Sequence, residues 1–145
     1  MKTKIIGLLA VCALLQAGAE DLNWTTDLPK ALAKAKAENK LVMMDFTGSD
    51  WCPWCIKLNK EIFSQPEFAA YAAKNIVAVE VDFPRHKEQP DEQKQANGKL
   101  AKKYEIQGYP TVIVLNGAGE KVGELGYQEG GPKPFIDKLK ELKSK

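Results

Sequence analysis

The chain has 145 residues, with 21 Lys and Arg against 19 Asp and Glu, 44% hydrophobic and 28% charged content, and 3 Cys. That length closes one hydrophobic core and hardly two, and the ordinary apolar and charged fractions exclude a disordered, collagen-like or disulfide-scaffold protein. A formal charge of +2 with Arg85 as the sole arginine excludes the arginine-rich footprint of a nucleic-acid binder.

Met1 to Ala19 opens with Lys2 and Lys4, continues as an apolar run from Ile5 to Leu15, and closes on Gln16-Ala17-Gly18-Ala19 ahead of Glu20-Asp21. A basic start, a short apolar centre and small residues three and one before the break compose a secretory signal peptide, cut after Ala19. The run is well short of the ~20 residues that a bilayer-spanning helix needs, so no lasting membrane insertion is expected and a retained anchor is the weaker reading. Cys12 is a poor lipoprotein cysteine, because the bulky Val11 precedes it and Ala13-Leu14-Leu15 carries the apolar run onward. Cleavage removes Cys12 and two lysines. What remains, residues 20–145, is a neutral single domain whose two cysteines enter an oxidising periplasmic or extracellular compartment, where disulfides persist.

Asp27 to Lys40 carries Leu28, Ala31, Leu32 and Ala35 at helical spacing, with Asp27 as an N-cap and Pro29 in the first turn, where a missing N–H is harmless. Leu41 to Phe46 and Ile76 to Phe83 are short apolar runs that read as buried strands. Between them, residues from about Cys52 to Lys74 have helical spacing that Pro66 breaks or restarts. Pro84 to Asn97 reads as a solvated polar loop feeding a helix that ends near Tyr104. Thr111–Leu115 and Glu120–Leu125 read as strands joined at Asn116-Gly117-Ala118-Gly119, where Asn and Gly tolerate positive φ. Pro134 to Lys143 closes the chain as a helix with Phe135, Ile136, Leu139 and Leu142 on one face, and a further short strand is possible around Leu22 to Thr25. The order predicts a mixed central sheet covered by helices.

The chemistry concentrates at Trp51-Cys52-Pro53-Trp54-Cys55. A cysteine at a helix N-terminus meets free N–H groups and the positive end of the dipole, which stabilise its thiolate, so Cys52 is the expected nucleophile. Cys55, one turn on, is placed to attack a mixed disulfide formed by Cys52 and release the reduced partner. Pro53 suits the first helical position, and Trp51 and Trp54 offer an apolar platform for a polypeptide. Structural zinc needs four ligands, whereas residues 20–145 offer only this pair and His86, itself read as a solvated loop residue. A purely structural bridge around so small a loop stabilises little.

From about Leu41 to the C-terminus, the chain resembles the thioredoxin superfamily. The resemblance rests on Asp45-Phe46, then Trp51-Cys52-Pro53-Trp54-Cys55, then Lys103-Tyr104-Glu105-Ile106-Gln107-Gly108-Tyr109-Pro110-Thr111, then strand, glycine turn and strand. Within the superfamily it is most similar to small exported bacterial members with a Thr-Gly-Ser-Asp-Trp-Cys stretch, and its Gly-Tyr-Pro-Thr segment is similar to that of protein disulfide isomerase domains. The resemblance implies an α/β thioredoxin fold, with a mixed four- to five-stranded sheet flanked by helices on both faces. It further implies a redox-active Cys52–Cys55 disulfide, a cis bond before Pro110 beside that pair, and Tyr109 as a substrate-contact residue.

Asp45 matches the family's buried acid beneath the second cysteine, where a raised pKa would let it take the Cys55 proton. One more residue than in thioredoxin separates Phe46 from Trp51, Asp50 reads as solvated, and Glu80 has no evident route to the cysteines. Ala78 stands where thioredoxin has a lysine beside the acid. The expected function is thiol–disulfide exchange with protein substrates by a monomer, without a cofactor and supplied by an upstream thiol redox partner, membrane-bound or soluble. Reduction is preferred over oxidation or isomerisation. The rivals are a non-catalytic peptide-binding module with a structural disulfide, and a thiol peroxidase, whose activating arginine the loop residue Arg85 does not supply.

Overall fold

The structure, a computed structural model, describes residues 21–145, so the expected signal peptide and Cys12 lie outside the described residues. Five strands form one sheet in the order β1 (Trp24–Thr25), β3 (Ile76–Asp82), β2 (Leu41–Thr47), β4 (Thr111–Leu115) and β5 (Lys121–Leu125). The first three run parallel, β4 runs antiparallel to β2, and β5 runs antiparallel to β4. Side chains alternate across the pleat, so β2 sends Val42, Met44 and Phe46 to one face and Leu41, Met43 and Asp45 to the other.

The first face is covered by α1 (Leu28–Glu38) and α4 (Asp91–Lys103), through Ala31, Ala35, Leu100 and Ala101. As the sequence predicts, Asp27 caps α1, its carboxylate accepting the Lys30 N–H at 3.0 Å. The second face is covered by α2 (Pro53–Leu58), a π-helical turn (Asn59–Phe63), α3 (Pro66–Asn75) and α5 (Pro132–Lys143). Pro66 restarts the helix here. Its ring cannot continue the preceding turn but suits a first helical position, and the π turn delivers Ile62 and Phe63 into the core. Phe63, Phe68 and Phe135 then pack with centroids 5.2–5.9 Å apart, joining the π turn that follows α2 to α3 and α5.

Three expectations need correction. Residues 91–97 are helix rather than loop: α4 is so exposed that no apolar period betrays its first turns, and its buried Asn97 is polar, donating to the Asp82 carbonyl at 2.8 Å. The last helix starts at Pro132, two residues early, for the same reason that Pro29 fits α1. In the β4–β5 turn only Gly119 has positive φ, at 82°. Asn116 serves instead through its side-chain oxygen, which accepts the Ala118 and Glu120 N–H groups at 3.0 Å each.

Candidate active site

β2 ends at Thr47, and the chain turns through Gly48–Trp51 into α2. The Trp51 and Cys52 N–H groups both bond the Gly48 carbonyl, at 3.2 and 2.9 Å. This tight turn absorbs the extra residue before Trp51. Gly48 has to be glycine, because a Cβ there would overlap the Trp51 indole. Cys52 is the N-cap of α2, and its sulfur accepts the Cys55 N–H at 3.3 Å, so the helix end points its free donors at that sulfur. The two cysteines are joined in a disulfide with Cα atoms 5.2 Å apart.

The two sulfurs face different surroundings. Cys52 Sγ lies 3.8 Å from the Tyr109 carbonyl, beside the cis Tyr109–Pro110 bond. Cys55 Sγ points inward, accepts the Gly48 N–H at 3.5 Å, and lines a cleft of about 250 Å³ with Asp45, Glu80, Thr47, Ser49 and Asn59. Asp45 is buried and its Oδ1 has no hydrogen-bond partner among the described residues. Burial, and then the neighbouring charges of Glu80 and Asp82, push its pKa up to about 8.

Glu80 therefore does have a route to the cysteines. It lies opposite Asp45 across the β2–β3 ladder and shares the cleft with Cys55. Strand register, invisible in a single sequence, places it there, while Ala78 pairs with Met43 further along the strand. Burial foremost, and then Asp82, raise the Glu80 pKa, against a lowering by Lys87.

Asp50 is likewise not merely solvated. Its carboxylate accepts the N–H groups of Arg85, His86 and Lys87 at 3.0, 2.8 and 3.0 Å, which hold its pKa below the usual carboxylate range and tie the 84–87 loop beside Cys52. His86 itself is exposed.

The expected aromatic platform divides in two. Trp51 is half-buried and locked: its indole N–H donates to the Phe83 carbonyl at 2.7 Å, the Arg85 guanidinium lies 3.5 Å from its ring centre, and Tyr109 packs edge-on at 6.0 Å. It frames the site. Trp54 is 55% exposed beside Ile56, 49% exposed, and rests on Tyr127 with the Lys57 ammonium about 5 Å over both rings. Ile56 and Tyr127 escaped sequence reasoning; the exposed spacing Trp54-x-Ile56 was the signal for the first. Among the described residues, no three His, Cys, Asp or Glu side chains are grouped to hold a metal, and no helix is long and apolar enough to cross a membrane.

A family profile described as a thioredoxin-like domain matches residues 28–143. The chain belongs to the thioredoxin-like family. It is 36% identical over 122 residues to the disulfide bond reductase DsbH of Chlamydia pneumoniae, covering 84% of this chain and 73% of that protein. It is 31% identical to the thioredoxin-related protein DsbJ of the same organism, covering 74% of this chain but only 31% of that longer protein. A solved structure titled DsbH oxidoreductase superposes with a TM-score of 0.81 at 31% identity, covering 99% of this chain and 95% of the other. The thioredoxin-like fold with its Cys52–Cys55 pair is that of a thiol–disulfide oxidoreductase, and the passive peptide-binding reading gives way.

Proposed function

We propose that the protein works as a monomer outside the cytosol, in a periplasm or secreted, as a reductase of disulfides in other proteins. The Cys52 thiolate, stabilised by the α2 N-terminus, attacks a substrate disulfide and forms a mixed disulfide. Asp45 takes the Cys55 proton, and the Cys55 thiolate attacks the Cys52 sulfur, closing the Cys52–Cys55 bond and releasing the substrate reduced. Tyr109, beside Pro110, offers its backbone to an extended substrate segment, and Trp54 with Ile56 gives that segment an apolar rest. An upstream thiol donor returns the pair to the dithiol, and no cofactor takes part.

The observation that carries this reading is Asp45, a carboxyl on the Cys55 cleft with its pKa pushed to about 8, and so a base poised near neutral pH. The likeness to a protein named a disulfide bond reductase supports the direction. The expected potential of the couple is about −270 mV rather than about −120 mV. Cys52→Ser abolishes insulin reduction, and Cys55→Ser accumulates a mixed disulfide on a nonreducing gel. Full activity in the Cys52→Ser variant, or a potential near the oxidising value, overturns the proposal.

A further inference from the structure

The acids behind Cys55 come as a pair, and the exchange between two cysteines leaves the second one idle. Asp45 and Glu80 are direct neighbours on parallel strands. Neighbouring strands lie about 4.8 Å apart, which puts two such carboxyl groups within reach of a shared proton. Both project to the α2 side of the sheet, the face on which Met43 and Ala78 lie. Asp45 is enclosed there with no hydrogen-bond partner for its Oδ1.

Glu80 is half-buried and lines both the Cys55 cleft and a second, outer one. The inner one holds Asp45 and Cys55; the outer, about 370 Å³, opens between Thr26, Pro84, Lys87 and Gln93. The charged groups facing Glu80 are Asp45 from β2, Asp82 from its own strand, and Lys87 and Glu88 from the loop. Asp82 is already committed, to Lys87 Nζ at 2.9 Å and to the Ser49 N–H and hydroxyl at 3.0 and 2.6 Å. That leaves Glu80 as the acid joining the buried base to the surface.

We infer that Glu80 is the proton relay between Asp45 and the outer cleft, a positioning residue for the step in which Cys55 releases the substrate. This rests on Cys55 as the resolving thiol and Asp45 as its base. In that step the Cys55 thiol gives its proton to the Asp45 carboxylate. The thiolate then forms the Cys52–Cys55 bond as the Cys52–substrate bond breaks, and the substrate sulfur leaves with the electron pair and takes a proton from water. The cysteine pair is oxidised and the substrate disulfide reduced. Asp45, now protonated, hands its proton to the Glu80 carboxylate, which sheds it to water in the outer cleft and leaves Asp45 ready again.

The test is a stopped-flow turnover of the reduced full chain against a fluorogenic peptide disulfide, across about pH 5 to 9. Cys55→Ser, which halts after the Cys52 attack, separates attack from release. Glu80→Gln is expected to slow release roughly tenfold while leaving attack unchanged. It also moves the pH midpoint of release downward, because losing the neighbouring charge makes Asp45 less basic. Added imidazole restores part of the rate by carrying protons in place of the acid. Glu80→Ala repeats the test should the amide fail to fold, and Glu67→Gln, on the exposed outside of α3, matches wild type.

Release by Glu80→Gln at the wild-type rate and midpoint, or a slowing without midpoint shift or imidazole rescue, overturns the relay. Release by Cys55→Ser as fast as wild type instead overturns the resolving role itself.

Discussion

Two buried aspartates on the same face of the sheet are treated in opposite ways. Asp82, at the end of β3, has a lysine and two groups of Ser49 on its carboxylate, and its backbone carbonyl accepts from Asn97 and Gln89. Asp45, on the neighbouring β2, has an orphaned oxygen and a pKa near 8. The satisfied acid holds structure, tying the turn before the cysteines to the loop beside them. The unsatisfied one is tolerated because it can stay protonated, and the same burial raises its pKa into the range where, in the proposed step, its carboxylate takes the Cys55 proton.

The comparison breaks most directly at Asp45. Asp45→Asn keeps shape but removes the base, so substrate release slows about 100-fold at neutral pH, read in the same stopped-flow turnover. Its stability changes the other way. The native pKa of about 8 lies above the unfolded value of 3.8, so wild type folds with a proton bound and loses stability as pH rises through that window, the loss being complete above pH 8. The asparagine variant is free of this loss and gains on wild type with rising pH, by several kcal/mol at the alkaline end, measured by urea unfolding at several pH values. A variant less stable than wild type above pH 8 would show Asp45 to be structural after all.

Asp82→Asn is the reciprocal test. It strips Lys87 of its partner and weakens the Ser49 anchor, costing roughly 1–3 kcal/mol in urea unfolding at neutral pH. The smallest effect belongs to the rim. Trp54→Ala leaves stability within about 0.5 kcal/mol, because the ring is mostly exposed, and raises KM for a protein disulfide a few-fold with kcat unchanged. A fall in kcat would move Trp54 from substrate support to the chemistry.

Much of the site was legible because its logic is local. Cys52 and Cys55 follow from a motif at a helix start, Asp27 from capping chemistry, and the two faces of β2 from alternation in Leu41–Thr47. The first turns of α4 were illegible because a helix resting on the sheet through few residues shows no apolar period, and its buried Asn97 looks like any loop asparagine. Trp51 read as part of a partly exposed aromatic platform, and nothing local announces that Phe83, Arg85 and Tyr109 will hold its ring in place.

By itself the sequence determined the redox pair, the helix that starts at it, the strand that carries Asp45 and the α/β class, since each depends on neighbours a few residues apart. Only the tertiary structure decided which acid stands beside Asp45, how Asp50 ties down the 84–87 loop, and which aromatic faces outward. The physical reason is register. β2 and β3 are joined through helices, and nothing in either strand states which residue will lie opposite which. A slip of one position would turn Glu80 to the other face of the sheet, so the pairing that gives Asp45 its neighbour is set by how the two layers of helices pack.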